Sequence, residues 1–267
     1  MDALNLLFYP FLGCVALILI HAYFGIHVLE RGIIFVDLSL AQFVALGSAV
    51  GLLLSHTDHD QYLTSLVFAL LGASILSFSR QIARLVNIEA FIGVLYIFSL
   101  AMGFLVLDRT PHGLEEMKSI LNGNILWITP RDVLYSCLLY GAIGLFHLIF
   151  RDKFFKLSFE GRGSLLWEFL FFLSFAIVLV SSVRMAGILQ VFSFLVIPAL
   201  IGRLYTGKRS MVLVIGWLLG LAASILGIAL SYWFDLPTAP LIVAALSCLF
   251  FVTLVIKAML EAPRSNR

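Results

Sequence analysis

The sequence predicts an all-α fold, a polytopic transmembrane helical bundle, and three observations predict it. Of 267 residues, 62% are hydrophobic and 12% charged, and the mean hydropathy is +1.08. Soluble domains are only about 45–50% apolar. The apolar residues gather into runs of about 17 to 24, the length that carries a helix across a hydrocarbon layer of about 30 Å. The basic residues between those runs are shared unequally between alternate loops. No polar stretch is long enough to form a separate soluble unit, so 1–267 reads as a single domain.

The elements follow in order. The opening MDALNLLFYP carries Asp2 and no basic n-region. The apolar run behind it is too long for a cleaved signal, so a retained first span is expected near Leu6–Ile26. Further spans are expected near Ile33–Leu54, Tyr62–Ser79, Phe91–Leu107, Val133–Phe150, Leu165–Ser182, Gly187–Leu204, Met211–Phe234 and Ala239–Ile256. That makes about nine, or eight if the seventh is short or re-entrant. Gly47 with Gly51, Gly216 with Gly220, and Ala223 with Gly227 are small residues four apart, the spacing that lets helix backbones approach in lipid. Cys14, Cys137 and Cys248 lie inside apolar runs without Cys-x-x-Cys spacing and read as packing residues.

Loop charge tests the count. With the N-terminus outside, the cytoplasmic segments hold Arg31; Arg80 and Arg84; Arg151, Lys153, Lys156 and Arg162; Arg203, Lys208 and Arg209; and Lys257, Arg264 and Arg267. Those are thirteen of the seventeen basic residues, against Arg109, Lys118, Arg131 and Arg184 outside. This is the positive-inside bias, and one span more or fewer would scramble it. The C-terminus is therefore expected in the cytoplasm.

The stretch Gly187–Arg209 combines an apolar first half with a basic second half. Lys or Arg at bilayer depth costs about 2.5 to 3.5 kcal/mol, so the chain is expected to leave the membrane near Pro198 and to emerge as a small basic helix. Gly202 to Lys208 matches seven positions of a phosphate-binding loop, but Arg209 stands where that loop needs Ser or Thr for Mg²⁺, and no strand precedes it. Any ATP hydrolysis must come from another chain.

Asp37, with Leu38, Ser39 and Gln42 around it, is the candidate translocation site, because an ionisable group within a span marks a pathway by default. The structural alternative places Asp37 at its helix N-terminus, paired with Arg31. Asp37 and Gln42 are about 140° apart on the helical wheel and do not share a face. His21 and His147 read as packing histidines. The outside loop His56, Asp58, His59 and Asp60 holds donors suited to Zn²⁺ or Mn²⁺, although a short polar loop has the same composition.

Three segments resemble the permease subunits of the ABC importers for zinc, manganese and iron(II). Leu121 to Leu126, with Gly123 and Asn124, followed by Pro130 and Asp132, is similar to that family's Gly-Asn-Ile-Leu…Pro-x-Asp segment. Val183 to Leu204, with Gly187, Pro198, Ala199 and Arg203, resembles its Gly-Ile/Val-Leu…Ile-Pro-Ala…Arg-Leu segment. Asp235, Pro237 and Pro240 resemble its Asp-Leu-Pro-Ser/Thr-Gly-Pro turn, with Ala239 where Gly is usual. The resemblance implies a dimer of permeases, a partner ABC ATPase that binds the ATP, and an extracytoplasmic metal-binding protein, all at the bacterial cytoplasmic (inner) membrane. It implies a coupling segment at about 198–210 carrying Pro198, Gly202, Arg203, Leu204, Lys208 and Arg209. No nucleic acid and no cofactor of this chain is implied; the divalent ion is cargo.

One departure bears on the cargo. The family's second span carries Asp-x-x-x-His, an (i, i+4) pair on one helix face. Ungapped alignment through Gly47 puts Leu38 and Gln42 there; sliding by one recovers Asp37 but sets Ala41 against the His. The imidazole is missing either way. The expected function is thus an importer permease for divalent metal ions. Its rivals are a permease for metal chelates such as siderophores or cobalamin, and a secondary transporter, whose inverted repeats are not seen. An intramembrane enzyme would need a paired nucleophile and base that the spans lack.

Overall fold

The computed structural model describes residues 3–55 and 57–261. Among the described residues eight helices are long and apolar enough to cross a membrane. They are α1 (Ala3–Arg31), α2 (Val36–Ser55), α3 (Asp58–Ser77), α5 (Ile88–Leu107), α7 (Pro130–Ile149), α9 (Leu165–Tyr205), α10 (Arg209–Phe234) and α11 (Thr238–Glu261). Three shorter α-helices, α4 (Ser79–Ile82), α6 (Gly113–Asn122) and α8 (Arg151–Phe159), and one 3-10 turn, Ile125–Trp127, make up the rest of the helical structure among the described residues. No strand occurs among the described residues.

Eight long helices and nine expected spans are reconciled by α9. A straight helix of its 41 residues would run about 60 Å, twice the hydrocarbon thickness. Yet Glu168, near its start, pairs with Arg31 of α1, and Arg203, near its end, pairs with Glu30 of α1. Adjacent residues of one helix cannot hold two points so far apart along a rod. α9 is therefore a hairpin, folded where Gly187 takes φ 74° and ψ 164°, a region open essentially to glycine alone. Its limbs, residues 165–186 and 188–205, are the expected sixth and seventh spans.

The limbs of α9 sit with α1 and α2 at the centre. Phe24 of α1 stacks on Phe175 at 4.8 Å between ring centres, and Gly25 beside it lies against the backbone of Leu195 on the other limb. The small residues pack helices as the sequence suggests. Gly47 and Gly51 bring α2 onto the α3 backbone between Gln61 and Ser65, and Gly220 and Gly227 receive Ile18 and Ile242. By contrast α5, α7 and α11 present exposed apolar side chains such as Ile97, Leu138 and Phe251, as helices facing lipid do.

One expectation is corrected here. The chain does not leave the bundle near Pro198 as a separate basic helix. α9 continues through Pro198 to Tyr205, and only Thr206 to Lys208 separate it from α10. Pro198 is buried, with Gly216 of α10 facing it. A proline inside a membrane helix forfeits one backbone hydrogen bond, and close neighbours make that tolerable.

Candidate functional site

The bundle has two unlike ends, and each gathers residues far apart in sequence. At one end, here the glycine end, the three sequence segments singled out above converge. Gly123 (φ 64°) closes α6, and a Cβ added to it would strike the backbone of Ala186 and Gly187. A Cβ on Gly187 would in turn strike Asn122 and Gly123. The α6 terminus and the α9 fold thus touch backbone to backbone, and the Asn124 N–H donates to Met185 O at 3.4 Å. Residues Asn122–Trp127 line a cavity of about 260 Å³ together with Asp235–Pro240, so the third segment joins the first two.

Local rules explain the remaining residues of these segments. Thr129, Pro130 and Asp132 open α7 as a capping box: the Thr129 N–H donates to Asp132 at 2.9 Å, and the Asp132 N–H donates back to the Thr129 hydroxyl at 3.3 Å. Proline at the first helical position costs nothing, because that N–H has no partner in a helix. Asp235 closes α10 in the left-handed region at φ 51°, a conformation Asp tolerates better than most residues. Beside the fold a cavity of about 750 Å³ is lined by Asp132, Ser136, Ser181, Arg184 and Met185 among others. Asp132 is engaged as a helix cap and a guanidinium stands in the wall, a lining that does not gather carboxylates for a metal ion.

At the other end, the basic end, ion pairs do the joining. Glu168 is 2% exposed and receives both Arg31, 8% exposed, and Arg80. Arg80 also donates to the carbonyls of Leu157 and Gly161 at 2.8 Å each. The Arg31 guanidinium lies 4.9 Å from the ring centres of Phe171 and Phe172, adding cation–π attraction in a desolvated setting. One carboxylate thereby ties α1, α4, α8 and α9. Sequence reading missed Glu168; the available signal was a lone carboxylate in LLWEFLFF, three residues into a span.

The pairing with Arg31 offered as the structural alternative for Asp37 is not seen, since Arg31 faces Glu168. Asp37 stands in the first turn of α2 and is 1% exposed, and neither carboxylate oxygen has a hydrogen-bond partner. The Ser39 hydroxyl is likewise buried without one. Nearby, Glu89 accepts from the Ile34 N–H at 2.5 Å and so closes the α1–α2 turn. A carboxylate shut away from water is costly unless it is protonated or meets a cation, and Asp37 is buried in that condition. Leu38 is partly buried and Gln42 is buried on the same helix.

The other candidate residues divide clearly. His56 lies outside the described residues, and the structure gives no side-chain account of Asp58. Thr57 caps α3, donating to Asp60 at 2.6 Å, and His59 is exposed. Among the described residues no three His, Cys, Asp or Glu side chains gather to hold a metal. His21 donates from Nδ1 to Leu17 O of its own helix at 2.8 Å. His147 lies 3.0 Å from the Tyr23 hydroxyl and 2.8 Å from that of Ser174, so both histidines are packing residues. Gly202 is buried against Val212, while Arg203 and Lys208 are exposed and Leu204 is half-buried. Arg209 turns aside onto the Phe159 ring at 3.7 Å.

A helical bundle of nine apolar segments, with a folded central helix and most of its positive charge at one end, has the build of an integral membrane protein. The ABC 3 transport family model matches residues 3–257, and the chain belongs to that family. It is 28% identical over 181 residues to a "Probable metal transport system membrane protein" of Chlamydia trachomatis, covering 65% of this chain and 62% of that protein. The chain thus spans about three fifths of the length of the first curated relatives it matches. The manganese transport system membrane protein MntC of Listeria monocytogenes is 23% identical over 249 residues, 91% of this chain and 85% of that one. Among solved structures, PsaBC from Streptococcus pneumoniae in complex with Fab superposes with a TM-score of 0.77 at 21% identity, covering 94% of this chain and 93% of that one. That likeness establishes a shared fold.

Proposed function

We propose that this chain is the transmembrane permease subunit of an ATP-driven importer of divalent metal ions in a bacterial cytoplasmic membrane. The observation that carries the reading is the family match across residues 3–257. Relatives named for manganese and iron transport support the cargo class, without fixing which ion. The permease works as a pair with a partner ATPase and receives its ion from an extracytoplasmic binding protein. The basic end lies in the cytoplasm and the glycine end outside.

In this reading the path runs past the first turn of α2, where Asp37 offers its two unpartnered oxygens. Without the imidazole of the family pattern, the site is an oxygen site, suited to harder ions such as Mn²⁺ over softer ones. ATP binding in the partner is felt at the α9–α10 junction, where Arg203, Gly207 and Lys208 are exposed. A push there acts on the second limb of the hairpin. The first limb is held through Glu168, so the limbs shift against each other and exchange the open side of the path.

Reconstitution with the partner ATPase in proteoliposomes tests the reading. ATP-dependent uptake of radiolabelled Mn²⁺, Zn²⁺ or Fe²⁺ is expected, and Asp37→Asn should depress it by at least tenfold while the complex still assembles. Uptake only of a metal chelate, or of none of these ions, would refute the reading. Uptake unchanged in Asp37→Asn would remove the aspartate from the path.

A further inference from the structure

α7 and α10 each pack against α1 and leave between them an open-sided groove of about 680 Å³. Its walls are apolar, with Leu19, Leu148, Phe155, Leu213 and Trp217 among them. The polar groups along its floor are already satisfied inside the protein. Tyr23 bonds His147, Tyr140 bonds Ser182 at 2.9 Å, His27 bonds the Ser158 hydroxyl at 2.9 Å, and the Trp217 N–H donates to Leu19 O at 3.2 Å. What the groove offers along its length is hydrocarbon surface.

Its basic end differs. Arg151 and Arg209 both line it there, and the Arg209 guanidinium is held in place over Phe159. From Leu148 to Cys137 the groove follows α7 for eleven residues, about 16 Å at 1.5 Å per residue. That is close to half of a hydrocarbon layer of about 30 Å. Gly141 and Gly144 sit in the middle of α7, where glycine costs about 1 kcal/mol relative to alanine. Unlike the glycines of α2, they have nothing within 4 Å of where a side chain would start. They keep the groove open.

We propose that this groove is a binding site for an anionic phospholipid. One acyl chain lies along α1 between α7 and α10, and the phosphate rests between Arg151 and Arg209. The charge decides the occupant: a neutral acyl surface explains the apolar walls alone, whereas an anionic headgroup also explains two guanidiniums at one end of the groove. Arg209 lies over Phe159, and Arg151 is only loosely engaged, 3.7 Å from the exposed Asp152. Basic side chains near a membrane surface favour anionic lipid by about 1 kcal/mol each.

Native mass spectrometry of the full chain, released from mixed bilayers of phosphatidylglycerol and phosphatidylcholine with matched acyl chains, reads the site. Wild type should retain phosphatidylglycerol about thirtyfold over phosphatidylcholine, the equivalent of two such charges. Arg151→Gln with Arg209→Gln should bring the ratio to about one, while Arg151→Lys with Arg209→Lys should keep most of it. Gly144→Phe, which has room to enter the groove, should reduce retention of both lipids. Equal retention by wild type, or a preference that survives the double Gln variant, would overturn the proposal. So would a disulfide-crosslinked dimer dependent on Cys137, which lines the groove, because it would give the groove to a second copy. None of these outcomes depends on which ion is carried.

Discussion

At the glycine end the joint is Gly123 against Gly187, backbone on backbone, with no charge in the contact. At the basic end the joint is Glu168 between two arginines, with Glu30 and Arg203 beside it. The first leaves no room for any side chain and has one arrangement. The second is built from long side chains that can exchange partners. Both hold the same element, the α9 hairpin, by its fold and by its feet. The comparison teaches that the two joints are built on opposite principles; in the proposed function the fold of the hairpin would be the pivot and its feet the place of rearrangement.

The largest expected effect attacks the ion-paired end. Glu168→Ala leaves Arg31 buried with no counter-charge, and losing one partner of a buried pair costs about 3–5 kcal/mol; thermal unfolding of the purified chain should show it. Replacing all three, Arg31→Met, Glu168→Leu and Arg80→Met, should recover most of that loss, since apolar groups of similar volume often match a buried ionic cluster. If the triple variant is as unstable as the single one, the cluster does more than position α1 against α9.

Next comes the glycine end. Gly187→Val forces a β-branched residue to a positive φ and drives its Cβ into Asn122 and Gly123, at a cost of about 3 kcal/mol. Gly141→Ala, in an open helical position, should stabilise by up to about 1 kcal/mol. Similar unfolding temperatures for the two variants would erase the distinction between a pivot glycine and a groove glycine.

The smallest effect on stability belongs to the exposed pair. Arg203→Gln should change stability by no more than about 1 kcal/mol, because Arg203 is 44% exposed and such pairs are worth little. Its effect should appear instead as weaker co-purification of the partner ATPase. A swap of Glu30→Arg with Arg203→Glu separates the roles. It restores the pair within the chain but reverses the charge shown at the α9 terminus, so ATPase binding should stay weak if that charge docks the partner.

The spans were legible in the sequence because burial in lipid demands long apolar runs, and the nine segments follow from that demand alone. Gly187 was visible as part of a motif, yet its positive φ and its contact with Gly123 depend on a segment more than sixty residues away. Asp37 was visible as a charge in an apolar run. The alternative that paired it with Arg31 does not hold, because Arg31 has a partner 137 residues downstream. The exit was placed near Pro198 because Arg203, Lys208 and Arg209 follow it; the helix instead runs on through Pro198 to Tyr205, which brings those residues to the end of the bundle. Glu168 was overlooked near a predicted span boundary, where charges are common and carry little signal.

The central claim is that the pivot and the feet of the α9 hairpin lie on opposite sides of the membrane, with the feet in the cytoplasm. Single cysteines at Asn124 and at Lys208, placed in a chain without its three native cysteines, test it in sealed cells with a membrane-impermeant maleimide. The account predicts labelling of Asn124→Cys in intact cells, and of Lys208→Cys only after the membrane is opened. Labelling of both positions from the same side, or of Lys208→Cys alone from outside, would contradict it.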